Sequence, residues 1–188
     1  ITFESGDNES DNTKIDYLER VKIFKVVPSS SGTSEEEIKK TEEDTIKDTI
    51  AEGNSVTYVM ELKDKDKYAF VENKTTINIV NENNSTTPCT WNYDTDSEGN
   101  SITSKIKFTL TVKSNTTVEI SNVLQKFNIT FANGSNRKDL ENVNIYKSDD
   151  LNNALKTYEV KDEATGTTNT VVKDTVIEGN SVTYVVKP

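Results

Sequence analysis

One pattern is written twice in this chain, at residues 1–60 and 129–186, and no other feature limits its fold so sharply. The first copy opens Ile1-Thr2-Phe3-Glu4-Ser5-Gly6-Asp7-Asn8, and the second opens Ile129-Thr130-Phe131-Ala132-Asn133-Gly134-Ser135-Asn136. A middle block follows in each, Leu18-Glu19-Arg20-Val21-Lys22-Ile23-Phe24-Lys25 against Leu140-Glu141-Asn142-Val143-Asn144-Ile145-Tyr146-Lys147. The closing blocks are nearly identical. Lys47-Asp48-Thr49-Ile50-Ala51-Glu52-Gly53-Asn54-Ser55-Val56-Thr57-Tyr58-Val59 is matched by Lys173-Asp174-Thr175-Val176-Ile177-Glu178-Gly179-Asn180-Ser181-Val182-Thr183-Tyr184-Val185. Three blocks in one order point to a duplicated folding unit, an organisation of scaffold and surface proteins before enzymes.

The periodicity inside the blocks predicts strands. Ile106, Phe108, Leu110 and Val112 alternate with polar residues without a break, as do Val56, Tyr58, Met60 and Leu62. Phe127, Ile129 and Phe131 form a third such run, and Val143 and Ile145 a fourth. Alternation of this kind is the mark of a half-buried strand. Glu-Gly-Asn-Ser before each closing strand is a turn signal, since glycine takes the positive φ that tight turns require. Only Ser34–Lys40 and Ser148–Leu155 lean toward helix, each starting on a capping residue followed by acids. Residues 28–43 otherwise read as loop.

The copies restart 128 residues apart, Ile1 to Ile129, with six more residues before Leu18 in the first. Ser85-Thr86-Thr87-Pro88 is the expected hinge, which divides the chain into modules at 1–86 and 87–188. On that division the first module lacks its opening strand and the second its closing strand. The expectation is then a length of a continuous array, or a subunit completed by its neighbours. The expected junctions are Tyr68–Val80 and Ile106–Phe131, with Ile1–Phe3 and Val182–Val186 nearest the joins.

The order of these signals resembles the immunoglobulin-like repeat modules of bacterial and archaeal cell-surface, adhesin-like, surface-layer and filament proteins. The residues that carry the resemblance are Phe108–Val112, Asn133-Gly134, Asn142-Val143 and Gly179–Tyr184. It implies an all-β chain of two tandem immunoglobulin-like β-sandwich modules with a structural role outside the cell, and it carries no active site with it.

Composition bears on partners. A formal charge of −10 disfavours nucleic acid, whose binding rests on Lys and Arg neutralising phosphates, and equally an anionic membrane. No stretch is long and apolar enough to cross a bilayer, and the first residues do not read as a signal peptide. The expected partners are neighbouring repeats, other copies, or a host or cell-surface ligand. Asn-x-Ser/Thr sequons at Asn8, Asn73, Asn83, Asn84, Asn115, Asn128 and Asn133 would permit glycosylation.

Chemistry is sparse. The chain has no histidine, which removes the usual general base and the commonest zinc ligand. Cys89 is the single cysteine, so an intrachain disulfide is ruled out and burial beside Trp91 is expected. No catalytic residue is assigned. The one candidate metal set is Asp94, Asp96, Glu98 and Asn100, where oxygen ligands at alternate positions around Gly99 match the opening of a calcium loop. Lys105 stands where that loop needs a bidentate glutamate, so a polar hairpin tip is the favoured reading. A calcium-dependent, ligand-binding adhesin module is the alternative to the structural repeat.

Overall fold

The computed structural model describes residues 1–6, 15–135 and 137–188. The repeat positions Asp7, Asn8 and Asn136, the sequon at Asn8 and most of the extra stretch before Leu18 lie outside the described residues. The fold is all-β. Its strands are β1 (Thr2–Ser5), β2 (Val21–Ser29), β3 (Gly32–Glu37), β4 (Ile46–Lys47), β5 (Ser55–Leu62) and β6 (Tyr68–Ala69). They continue with β7 (Thr76–Asn81), β8 (Thr86–Cys89), β9 (Trp91–Thr95), β10 (Ser101–Thr111) and β11 (Thr116–Ser121). The last six are β12 (Leu124–Ala132), β13 (Asn144–Lys147), β14 (Asp150–Ala154), β15 (Thr157–Lys161), β16 (Thr168–Ile177) and β17 (Tyr184–Lys187). Short 3-10 turns at Tyr17–Arg20 and Asp139–Asn142 precede β2 and β13.

The chain divides into two compact units, Ile1–Leu124 and Gln125–Pro188. This corrects the expected boundary at residues 86 and 87. Residues 87–124 belong to the first unit because β10 pairs antiparallel with β5 from Lys105↔Glu61 to Thr111↔Ser55. In the other sheet β11 pairs with both β1 and β7. The expected hinge is itself a strand: β8 pairs with β7, Asn78 opposite Pro88. Proline is tolerated there because β8 is an edge strand and its missing N–H faces no partner.

The first unit is sandwich-like. One sheet has the order β4-β1-β11-β7-β8 and the other β3-β2-β5-β10-β9. Alternate side chains from both sheets meet in one core, with Phe3, Ile77, Val118 and Ile120 on one side and Ile23, Tyr58, Met60, Ile106 and Phe108 on the other. The first unit therefore does not lack the strand Ile106–Val112, and that strand is not a junction. It lies between β5 and β9, where Ile106 is fully buried.

Both helical leanings are overturned. Glu35–Glu37 pair with Phe24–Val26 in the β2–β3 hairpin, and Asp150–Ala154 form β14 beside β13. The Pro28–Glu43 stretch is thus largely hairpin rather than loop. A cap and a few acids supply only tenths of a kcal/mol to a short helix, and a pairing partner outweighs them.

The second unit has two sheet pieces of its own, β15-β16-β12 and β14-β13-β17. They reproduce part of the first unit's pairing. Thr2↔Lys47 and Phe3↔Ile46 in β1 and β4 recur as Thr130↔Lys173 and Phe131↔Val172 in β12 and β16. Ile23↔Met60 and Lys25↔Tyr58 recur as Ile145↔Val186 and Lys147↔Tyr184. The bridge Lys40↔Ile46 is lengthened in the second copy to the β15–β16 hairpin, where Thr157 faces Val172.

Candidate functional site

At the centre of each repeat stand one lysine, one aspartate, one tyrosine and one phenylalanine, in matched geometry. The Tyr58 hydroxyl donates to Asp48 Oδ2 at 2.7 Å, and the Tyr184 hydroxyl donates to Asp174 Oδ2 at 2.7 Å. Lys25 Nζ lies 3.3 Å from the Asp48 carboxylate, and Lys147 Nζ lies 3.0 Å from that of Asp174. Phe3 meets Tyr58 edge-on with ring centroids 5.0 Å apart, and Phe131 meets Tyr184 at 4.9 Å. The register explains the constellation: lysine and tyrosine face each other across one ladder, and the aspartate follows the strand that pairs with the phenylalanine. Caps are repeated as well. Ser5 Oγ accepts from the Leu18 N–H at 3.1 Å, and Asn133 Oδ1 accepts from the Leu140 N–H at 2.8 Å.

Every one of these residues lies in the repeated blocks; Tyr58 and Phe131 were expected as members of alternating strands, and the four-residue grouping was not expected from sequence. The available signal was retention of Lys, Asp and Tyr while neighbours changed, Phe24 to Tyr146 and Ala51 to Ile177. These side chains tie the two sheets together through hydrogen bonds, ion pairs and ring contacts. Burial raises the Tyr58 hydroxyl far above its usual range, helped by its hydrogen bond to Asp48. Burial, then the hydrogen bond to Asp174, pushes Tyr184 up to about 12. At Asp174 burial acts upward, and the bonds from Tyr184 and Lys147 more than offset it, leaving the carboxyl below the ordinary range.

An alkaline titration checks this assignment. Because the folded pKa of Tyr184 is raised, its contribution to stability is complete below about pH 10. It is lost as the pH rises through about 12. A phenolate absorbance titration is expected to show a late-ionising component that Tyr184→Phe removes. Ionisation of Tyr184 near pH 10 in the folded chain would refute the arrangement.

What separates the repeats is the neighbour of the closing strand. In the first unit β5 lies between β2 and β10, whereas among the described residues β17 pairs with β13 alone. Ser55–Thr57 extend beyond β2 and pair only with β10. Their counterparts Ser181–Thr183 are accordingly not in a ladder, and β17 starts at Tyr184. The same difference appears in burial. Met60 is fully buried, while Val186, at the matched position, is 58% exposed. Phe127, Leu151, Tyr158 and Val160 in the second unit are also exposed. Nearly identical blocks thus make a covered edge once and an uncovered one once.

The acidic loop is a hairpin tip. Asp96 Oδ1 accepts from the Glu98 and Asn100 N–H groups at 2.9 Å each, and Gly99 takes φ +83° between them. The Asn100 amide, opposed by burial and joined by the Glu98 amide, holds the Asp96 carboxyl below its usual range. Asp94 is committed to Lys107 at 3.0 Å and to the Thr95 N–H. Glu98 accepts from Asn100 Nδ2 at 3.4 Å. Among the described residues no three Asp, Glu, His or Cys side chains gather to hold a metal ion. Asp96→Ala is expected to speed amide exchange at Glu98 and Asn100 selectively, and unchanged protection of both would show the carboxylate idle.

Cys89 is half-buried against the core beside Trp91, and burial pushes its thiol up, away from the reactive thiolate. Trp91 is anchored by donation from Nε1 to the Thr75 carbonyl at 2.9 Å, and the Tyr93 hydroxyl donates to the Phe70 carbonyl at 2.7 Å.

No family model, curated protein or solved structure matches the chain.

Proposed function

We propose that this chain is a structural repeat of an extracellular surface protein or filament, built from immunoglobulin-like modules and assembled through its sheet edges. The observation that carries the reading is the edge of β17, uncovered where the matched edge of β5 is covered by β10. An unpaired strand edge that carries an exposed apolar side chain, here Val186, is a template for another strand. The rest is consistent with an architectural role. The side chains retained in both halves hold sheets together, and the strongly acidic surface keeps such modules apart except where strands meet. Antibodies raised against the full chain are expected to label intact, unpermeabilised source cells. Labelling only after permeabilisation would overturn the reading.

A further inference from the structure

The matched register of the two repeats specifies what the neighbour of β17 must look like. Resting on the assembly reading above, we propose that β17 accepts, antiparallel, one extended segment patterned like β10, but acidic where β10 carries Lys105. In the first unit Ser55 and Thr57 exchange hydroxyl hydrogen bonds with Thr111 and Thr109 of β10, at 2.9 and 2.7 Å. Ser181 and Thr183 keep both hydroxyls at the matched positions, with no β10 beside them. Tyr58 faces Phe108 and Met60 faces Ile106 across that ladder. The incoming segment therefore sets threonine against Thr183, an aromatic residue against Tyr184 and a branched aliphatic one against Val186.

The charge at the next position discriminates among occupants. Lys105 of β10 pairs with Glu61 at 3.7 Å, and Lys187 stands where Glu61 would. A β10 sequence laid on β17 would set lysine against lysine, which is destabilising directly across a ladder. A second folded copy is also a poor donor. Its own β10 is enclosed between β5 and β9 with Ile106 and Phe108 buried, and releasing it would dismantle the first unit. The partner is thus a strand of the same pattern with Asp or Glu at the Lys105 position.

The test uses the full chain and two synthetic peptides spanning Ser101–Lys113, one native and one with Lys105→Glu, read by amide exchange and chemical shifts. The Lys105→Glu peptide is expected to protect amides of Tyr184–Lys187 and to bind about 3- to 10-fold tighter than the native one. In the chain variant Lys187→Glu, whose substitution is at an exposed position, the preference is expected to reverse. Three results would overturn the proposal: no change at β17 with either peptide, a preference unaltered by Lys187→Glu, or dimers of the peptide-free chain that protect β17. Surface labelling is independent of peptide binding, so failure of one leaves the other standing.

Discussion

Phe108→Ala is expected to destabilise the first unit by about 3–5 kcal/mol, the cost of emptying a large aromatic site that cannot collapse. Phe108 is 2% exposed and packs against Tyr58 at 5.7 Å between ring centroids. Trp91, the single tryptophan, lies in the same unit and packs against the same core, so urea unfolding followed by its fluorescence reads the loss directly. The matched experiment is Phe131→Ala. Phe131 keeps its edge-on contact with Tyr184 but is only half-buried, so the second unit is expected to lose roughly 1–2 kcal/mol. Followed by Tyr184-centred chemical shifts, equal losses at the two sites would show that the second core is as closed as the first.

Gly6→Ala and Gly134→Ala form a second matched pair, with opposite outcomes expected. A Cβ at Gly6 would stand 2.0 Å from Ser121 Oγ and 3.4 Å from Ser121 Cβ, while the Gly6 N–H donates to the Ile120 carbonyl at 2.8 Å. The Ser121 hydroxyl can rotate away but the ladder to β11 cannot widen freely, so about 1–3 kcal/mol of destabilisation is expected. At Gly134 the nearest obstacle is the flexible Arg137 side chain at 3.6 Å. Gly134→Ala is expected to stay within about 0.5 kcal/mol of the parent. Thermal unfolding of both variants decides it, and a neutral Gly6→Ala would mean that β1 and β11 are less tightly joined than their register implies.

The strands that alternate strictly were legible in the sequence. β5, β10, β12 and β13 fall where the periodicity of their apolar residues puts them, with buried positions in β5, β10 and β13 and half-buried Ile129 and Phe131 in β12. β3 and β14 were not. Gly32–Glu37 and Asp150–Ala154 are exposed throughout, so no apolar face marks them, and only pairing to β2 and β13 makes them strands. The division of the chain was missed for a related reason. Pro88 looks like a break until β7 is beside it, and nothing local in Ile106–Thr111 says that its partner is β5 rather than a strand downstream. The Lys–Asp–Tyr constellation was spelled out in the repeated blocks, yet its members are far apart in sequence and only the ladders bring them together. The hairpin reading of Asp94–Asn100 came from the turn chemistry of Gly99, and the internal partners of Asp96 supply its physical basis.

β1 and β11 run parallel, Thr2 beside Thr117 through Ser5 beside Ile120. Tension applied at Ile1 and drawn through Leu124 would drag these neighbours past each other along their common axis. In that geometry all the hydrogen bonds of the ladder are strained together, whereas an antiparallel pair pulled from adjacent ends peels open one bond at a time.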